Sequence, residues 1–316
     1  MNQQPLLSIC IPTYNRVEQL ANTLDSIVNQ EDFDETVEIV ISDNHSTDNT
    51  HEIVAQFMRK YPNIHYFCND ENLGFQNLTL AVKRGTGLLR KLSNDTVEFL
   101  PGSIKYIKSL ITRYKVTKPL LYFFQEYEST DDITEVHSLN EFMTKVSYMI
   151  TYIRCVAFWD DDCRFLYIMD ENSDTDLEHE PLILKLVSDK KEAVLISKEL
   201  FYTQSLGKKN LAYGLFRVFY TNYLSLLEPY HLSGEISEST FQYLKKDLLM
   251  RFFIEWICNT SVNSDRYVLN KDENLRELVE QAYKDEDYYG EFEKKLSAHL
   301  KIARLKRLVK TVINKA

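Results

Sequence analysis

The chain has 316 residues, 44% hydrophobic and 27% charged, with a formal net charge of −10. Such a length can bury a full core as one large domain or a domain with an appendage, and the acidic balance argues against nucleic-acid binding. With only 8 glycines and 7 prolines, long flexible linkers are excluded as well.

The five cysteines (Cys10, Cys68, Cys155, Cys163, Cys258) form no CxxC pair and read as reduced, structural thiols. The N-terminus lacks the basic-then-apolar pattern of a secretion signal. No stretch approaches the roughly 18 apolar residues that cross a bilayer. The expected location is the cytoplasm, soluble or peripheral on the inner face of the membrane.

Leu6–Ile11 is an apolar run closed by Pro12 and reads as a buried strand. Val17, Leu20, Leu24, Ile27 and Val28 then recur at helical spacing. Val37–Ile41 predicts a second strand, and residues 50–61 a second helix, with Thr47 or Asp48 as its cap. Ile64–Phe67, Asn77–Arg84 and Leu88–Leu92 continue the alternation as strand, helix and strand. Alternation of this kind predicts an α/β fold with a mostly parallel sheet covered on both faces.

Further on, Leu120–Glu126 reads as a strand, Phe142–Phe158 as a helix and Val194–Tyr202 as a strand. The aromatic-rich remainder reads as helices over 211–227, 238–258, 274–283 and 289–316. We expect a mixed α/β domain over residues 1–210 and a helical C-terminal region over 211–316.

Parallel sheets bind ligands at the carboxyl ends of their strands. Each strand of the first domain ends in polar residues there. Pro12-Thr13-Tyr14-Asn15-Arg16 follows the first, and Ser42-Asp43-Asn44-His45-Ser46-Thr47-Asp48 the second. Asn69-Asp70-Glu71-Asn72-Leu73-Gly74 follows the third, and Ser93-Asn94-Asp95-Thr96 the fourth. Four such loops on one edge make a site.

These residues resemble family 2 glycosyltransferases of the GT-A fold, a group that builds bacterial surface polysaccharides. SICIPTYNR (8–16) is similar to the family's opening strand and loop, and VEIVISDNHSTDNT (37–50) to its nucleotide-binding acidic loop. Glu71-Asn72-Leu73-Gly74, with Asn77 and Gly87, is similar to the next segment. The resemblance covers residues 6–104 and implies a nucleotide-sugar donor, with a UDP-sugar favoured. The residues expected at the nucleotide are Pro12, Thr13, Tyr14, Asn15, Arg16, Asp43, Asn44, Asn72, Gly74, Asn77 and Asn94. Asp43 can accept from a base N–H. Asp48 serves either the nucleotide or a helix cap, and Gly74 either a close ligand approach or an ordinary turn.

GT-A enzymes commonly carry Asp-x-Asp after the fourth strand, holding Mg²⁺ or Mn²⁺ against the diphosphate. Here the stretch is Leu92-Ser93-Asn94-Asp95-Thr96, in which Asp95 alone is acidic. The expectation is Mn²⁺ or Mg²⁺ bound through Asp95, weakly without nucleotide. Arg84, Arg90 and Lys91 flank this stretch and can help neutralise phosphate, with exposed helix and strand-edge positions the alternative.

Inverting transfer needs a base for the acceptor hydroxyl. The resemblance puts Asp176 in that role, ahead of Leu182–Val187, with Glu178 and His179 in reserve. An acidic first turn complementing the helix dipole is the alternative reading. Asp160–Asp162 reads as a solvated acidic turn, and Trp159 either packs in the core or stacks on an acceptor sugar.

At the C-terminus, Leu305, Leu308, Val309, Val312 and Ile313 share one helical face opposite Lys301, Arg304, Lys306, Arg307 and Lys310. Such a helix can meet an anionic inner-membrane surface, the acidic body of the chain or a second subunit. The aromatic helices before it (Tyr213, Phe216, Phe219, Tyr220, Tyr223) pack together or form a homodimer interface.

The reading is an inverting glycosyltransferase acting on a glycan or lipid-linked acceptor. The alternative is a catalytically degenerate GT-A domain serving as a nucleotide- or glycan-binding assembly partner.

Overall fold

The computed structural model describes residues 4–125, 129–205, 209–210, 213–262, 267–268 and 274–313. The chain divides into two compact units, residues 1–205 and 206–316. The sequence put the boundary after 210.

The first unit begins with β1 (Leu7–Thr13), α1 (Val17–Val28), β2 (Val37–Asp43), α2 (Thr50–Lys60), β3 (Ile64–Cys68), α3 (Gln76–Arg84) and β4 (Leu89–Leu92). All of these follow the sequence periodicity. Leu20, Leu24, Ile27 and Val28 of α1 are buried, and Leu7, Ile9 and Ile11 of β1 are fully enclosed. Each such side chain contributes about 1.5–3 kcal/mol of transfer free energy.

β5 (Val97–Phe99), α4 (Ser103–Tyr114), β6 (Leu120–Phe123), β7 (Ile133–Val136), α5 (Leu139–Val146), β8 (Val156–Trp159), α6 (Tyr167–Glu171), α7 (Glu180–Lys190), β9 (Ala193–Ile196) and β10 (Phe201–Thr203) complete the unit. Among the described residues the main sheet has eight strands in the order β3-β2-β1-β4-β8-β6-β9-β7. β1 is parallel to β2 and β4, and β2 to β3. β8 runs antiparallel to both β4 and β6, and β7 antiparallel to β9. The fold is the expected α/β arrangement, with two reversed strands.

Residues 142–158 differ from the expected single helix. α5 ends where Ser147 adopts φ 51°, two 3₁₀ turns follow, and Val156–Trp159 pairs as β8. An uninterrupted apolar run fits a buried strand as well as a helix, and β-branched and aromatic residues tip it to the sheet. The expected strand 194–202 is likewise two, β9 and β10, the latter pairing with β5. Glu126 of the expected strand 120–126 lies outside the described residues.

Trp159 is fully buried and its indole N–H donates to the Pro119 carbonyl at 2.7 Å, so it is a core residue. The acidic turn after it is paired. Lys118 reaches Asp160 (2.8 Å) and Asp161 (2.6 Å), and Lys190 reaches the buried Asp162 (2.7 Å).

The amino ends of β1, β2 and β4 are latched together. Glu38, buried in β2, accepts from Ser8 Oγ (2.5 Å) and from Thr86 N (2.5 Å), while Gly87 N donates to Ser8 Oγ (2.7 Å). A Cβ on Gly87 would lie 2.7 Å from both the Ser8 amide nitrogen and its hydroxyl. Gly87→Ala is therefore expected to destabilise the protein by about 1–3 kcal/mol, the usual cost of forcing volume into packed backbone. Urea denaturation checks this, and an unchanged midpoint would show that the two strands give way freely.

The second unit holds α8 (Tyr223–Leu232), α9 (Glu238–Asp247), α10 (Ile254–Val262), α11 (Leu275–Tyr283) and α12 (Tyr289–Ile313), with one-turn π segments at Arg217–Asn222 and Leu248–Phe253. Its aromatics pack on one another: Phe216 stacks on Tyr220 at 4.7 Å, and Phe219 meets Phe252 at 4.3 Å. Phe292 and Leu296 of α12 are buried, whereas Ile302 and Leu305 are exposed. Leu308, Val309, Lys310, Val312 and Ile313 lie beyond the residues whose side chains are described. Among the described residues no helix is long and apolar enough to cross a membrane.

Candidate functional site

The exits of β1, β2, β3 and β4 share the carboxyl edge of the sheet, because these strands are mutually parallel. The polar loops expected to make a site do meet there, and they are stitched to one another.

Asn15 takes φ 51°, and its side-chain oxygen accepts from Thr47 N (2.7 Å) while its own N–H donates to Ser46 Oγ (2.9 Å). Asp48 accepts from Val17 N (3.1 Å) and from Thr50 N (3.2 Å), so it serves the first turns of α1 and α2 together. The helix-cap reading of Asp48 therefore accounts for both its oxygens.

Asp43 is 1% exposed; its carboxylate accepts from Ser46 N (2.9 Å) and from the Tyr66 hydroxyl (2.5 Å). Burial, and then the Asp43 carboxylate, push the Tyr66 hydroxyl well above its ordinary pKa. Asn44 donates to Asn72 Oδ1 (2.7 Å) and the Gly74 carbonyl (3.0 Å), and accepts from Asn69 Nδ2 (3.1 Å) and Leu73 N (2.8 Å). Asn77 donates to the Ser42 carbonyl (2.8 Å) and accepts from Ser42 Oγ (2.5 Å) and Asn69 Nδ2 (3.0 Å). Arg84 adds bonds to Ser42 Oγ (2.5 Å) and Asn69 Oδ1 (2.9 Å).

Asn44, Asn72 and Asn77, expected at the nucleotide, thus use their amides to fix the loops. Gly74 has φ 58° with open space around it, so turn geometry alone explains the glycine. Tyr14 is exposed and Pro12 half-buried, leaving the first loop open to a ligand. Asn94 is half-buried beside the buried Ser93, and among the described residues Ser93 Oγ has no hydrogen-bond partner.

The charged centre of this edge is Asp95, 1% exposed. Its two oxygens accept from Arg16 Nη1 (2.9 Å) and Thr13 Oγ1 (2.9 Å), and its carbonyl accepts from Thr23 Oγ1 (2.9 Å). Burial raises its pKa, and Arg16, Thr13 and the Tyr14 backbone oppose that shift.

A hard divalent cation needs oxygen ligands. At this edge both carboxylate oxygens of Asp95 are already engaged, one of them by a guanidinium. Among the described residues no group of three His, Cys, Asp or Glu side chains could hold a metal. In this arrangement Arg16 is the cation beside Asp95, and the described residues do not by themselves make the expected Mn²⁺ or Mg²⁺ site there.

Lys91, read from sequence as either a phosphate neutraliser or an exposed strand-edge residue, is fully buried. Its ammonium donates to the carbonyls of Leu92 (2.7 Å) and Arg154 and lies 5.1 Å from the ring centres of Phe123 and Phe201. Burial pulls its pKa down to about 7. It clamps the end of β4 to the segment leading into β8. Arg90 donates to the Val82 carbonyl (3.1 Å) on the other side of the strand.

A second cluster lies at the start of α7. This helix leads into β9, which is parallel to β6, so its amino end sits at the carboxyl edge of the sheet. Pro181 near the start fixes a helical φ there. Glu178, His179 and Glu180 are all buried. His179 Nδ1 lies 3.2 Å from Glu180 Oε2, and among the described residues Glu178 Oε1 and Glu180 Oε2 have no hydrogen-bond partner.

Burial pushes Glu178 up to about 8, with Asp176 adding to the rise. It pushes Glu180 well above the carboxylate range and His179 down to about 4, against the pull of the Ile150 carbonyl. Asp176 itself sits upstream of the helix, half-buried, with φ 59°. Glu180 was not singled out as a site residue by the sequence. The one signal available for Glu180 was its place directly before a helix-starting proline.

Residues 8–87 match the model of Glycosyl transferase family 2. The segment that opens the chain is similar to this family over those residues, and the fold is GT-A. Among curated proteins, the chain is similar to an abequosyltransferase of Salmonella typhimurium, 51% identical over 70 residues, covering 22% of this chain and 21% of that protein. It is also similar to a validoxylamine A glucosyltransferase of Streptomyces hygroscopicus, 31% identical over 144 residues, covering 43% and 33%. The chain thus spans a fifth to a third of these relatives' lengths.

Among solved structures, S. aureus TarS 1–349 with UDP superposes with TM-score 0.58 at 15% identity, over 96% of this chain and 91% of that one. A mannosyltransferase of Pyrobaculum calidifontis with GDP-Man and Mn²⁺ superposes with TM-score 0.52 at 15% identity, over 97% and 88%. At such identity these two speak for the fold.

Proposed function

We propose that the protein is an inverting glycosyltransferase that moves a sugar from a nucleotide-sugar, a UDP-sugar favoured, to a hydroxyl of a surface glycan or lipid-linked precursor. The observation that carries this reading is the stitching of four strand-exit loops at the carboxyl edge, with the Arg16–Asp95 pair joining the first loop to the fourth, beside the match of residues 8–87 to the family 2 model. The UDP and UDP-GlcNAc complexes of the TarS neighbour support the choice of donor.

The acceptor oxygen attacks the anomeric carbon, and the bond from that carbon to the diphosphate oxygen breaks. The nucleoside diphosphate leaves with the bonding pair. The acceptor's proton passes to a carboxylate at the start of α7, for which Glu180, with Glu178 beside it, is the proposed base in preference to Asp176. Arg16 meets the charge that grows on the departing diphosphate. Tyr14 offers its exposed ring to the base, and Pro12, Thr13 and Asn94 line the same approach.

A thermal-shift panel of UDP-, GDP-, CMP- and dTDP-sugars, each with and without Mn²⁺, tests the donor. A UDP-sugar at 100 times its Kd is expected to stabilise the protein by about 2.7 kcal/mol, well above the others. A panel without any shift would count against the proposal. Asn94, which brings no charge to the fourth loop, favours the second reading, a degenerate domain that binds without turnover. Binding with no sugar released or transferred would support that reading instead.

A further inference from the structure

We infer that the distal half of α12 is a docking surface for an anionic lipid bilayer, lying flat on it with Ile302 and Leu305 set between the headgroups. The inference stands on α12 alone and holds whichever sugar the first unit transfers. Such a surface brings the protein to acceptors that are themselves anchored in a bilayer, the lipid-linked class proposed above.

α12 packs against α10, burying Phe292 and Leu296. At about 3.6 residues per turn, that packed face continues through Leu300, half-buried, to Arg307, whose guanidinium donates to the Val262 carbonyl. Ile302 and Leu305 fall on the opposite side of the helix, and they are 53% and 63% exposed. In sequence, Ala298, Val309 and Val312 keep the same spacing. Large apolar side chains on a regular stripe, turned away from their own unit, call for an apolar partner.

The charges beside the stripe say which partner. No acidic residue follows Glu293 in the sequence, although the whole chain carries a net charge of −10. Lys301 borders the stripe on one side and Lys306 on the other, with Arg304 behind Lys301. All three are exposed, and none pairs with a carboxylate among the described residues. Long basic side chains on both flanks let an apolar stripe sink while their charged ends stay level with lipid phosphates. A second copy of the chain fits less well. Pairing the stripe with itself about a twofold axis sets basic flank against basic flank. A stripe one helix wide also falls short of the about 800 Å² that each partner gives to a stable protein pair.

Co-sedimentation with vesicles tests the surface, using mixed phosphatidylglycerol–phosphatidylcholine and phosphatidylcholine alone. The proteins are wild type, Ile302→Ser/Leu305→Ser and Lys301→Gln/Arg304→Gln/Lys306→Gln. Wild type is expected to bind the mixed vesicles, to bind neutral ones at least about tenfold more weakly, and to come off as salt is raised. The glutamine triple should weaken binding to mixed vesicles by on the order of a hundredfold, and the serine pair by at least about tenfold. Melting curves should not move, because the substituted side chains are exposed. In Leu305→Trp, emission should shift to the blue and be quenched by brominated lipid when mixed vesicles are added.

The docking is overturned if wild type ignores mixed vesicles or binds neutral ones equally well. It is also overturned if the serine pair or the glutamine triple binds undiminished. A wild-type dimer in solution that the serine pair dissolves would make a second copy the occupant of the stripe and overturn it too. Should a multiple variant disturb the fold, Leu305→Trp still decides: an unshifted, unquenched emission on sedimented protein sinks the proposal. None of these measurements uses a sugar donor, so their failure leaves the transfer reaction standing.

Discussion

Asp95→Asn is expected to cut turnover at least about a hundredfold, the scale lost when a preorganised electrostatic group is removed from an active site. The side chain keeps its shape, so the amide oxygen can still accept from Thr13. What disappears is the charge that anchors Arg16. Stability should change little, within about 1 kcal/mol, because two effects oppose each other. A buried carboxylate with a raised pKa is no longer desolvated, and Arg16, 46% exposed, finds water in place of its partner. Steady-state kinetics with the donor identified by the panel, beside thermal melts, would separate these outcomes. Full activity in Asp95→Asn would sink the proposed role of the edge.

The second large effect is expected at α7. Glu180→Gln should lower kcat by roughly a hundred- to ten-thousandfold, the usual contribution of a positioned general base. A base must be ionised to take a proton, and burial holds Glu178 at about 8 and Glu180 well above its ordinary range. The kcat/KM of the free enzyme should therefore rise with pH through neutrality and on past pH 8.

Stability should move the other way. A carboxyl group whose folded pKa lies above its unfolded value binds more protons in the folded state. Its contribution is complete below the ordinary Glu pKa and is lost as pH rises through about 8. For Glu178 this amounts to a few kcal/mol across that window. Glu178→Gln should flatten the pH dependence of the melting temperature and leave the protein more stable above pH 8. A stability curve that rises from pH 5 to 8 and is unchanged by Glu178→Gln would show that the cluster is hydrated rather than enclosed.

The β1–β4 half of the fold was legible in the sequence because its strands are buried and parallel. Continuous apolar runs such as Ile9–Ile11 and Val37–Ile41 alternate with helices of clear periodicity, and each strand exit carries polar residues. The reversed strand β8 was not legible. Within 142–158 the apolar residues fit helix and strand equally, and the break at Ser147 is a backbone conformation that serine does not announce.

At the site, sequence named the loops that meet at the carboxyl edge, but not the bonds that tie them to one another. An asparagine beside a ligand and one tying two loops together need the same donor and acceptor, so Asn44 and Asn77 could not be told apart from nucleotide contacts by identity alone. Arg16 was grouped with the nucleotide and Asp95 with the metal. Their mutual ion pair joins residues 79 positions apart, which no local pattern reveals. Glu180 hid because an acid ahead of a proline at a helix start is also ordinary dipole chemistry.

The reversal of β8 has one more consequence. The loops at the exits of β1 to β4 leave a strand, whereas residues 147–155 reach the same edge by leading into one, with Lys91 as their clasp. The two sides of this edge are therefore built independently. The stretch before β8 can lengthen, shorten or change its side chains without re-registering β1, β2 or β4.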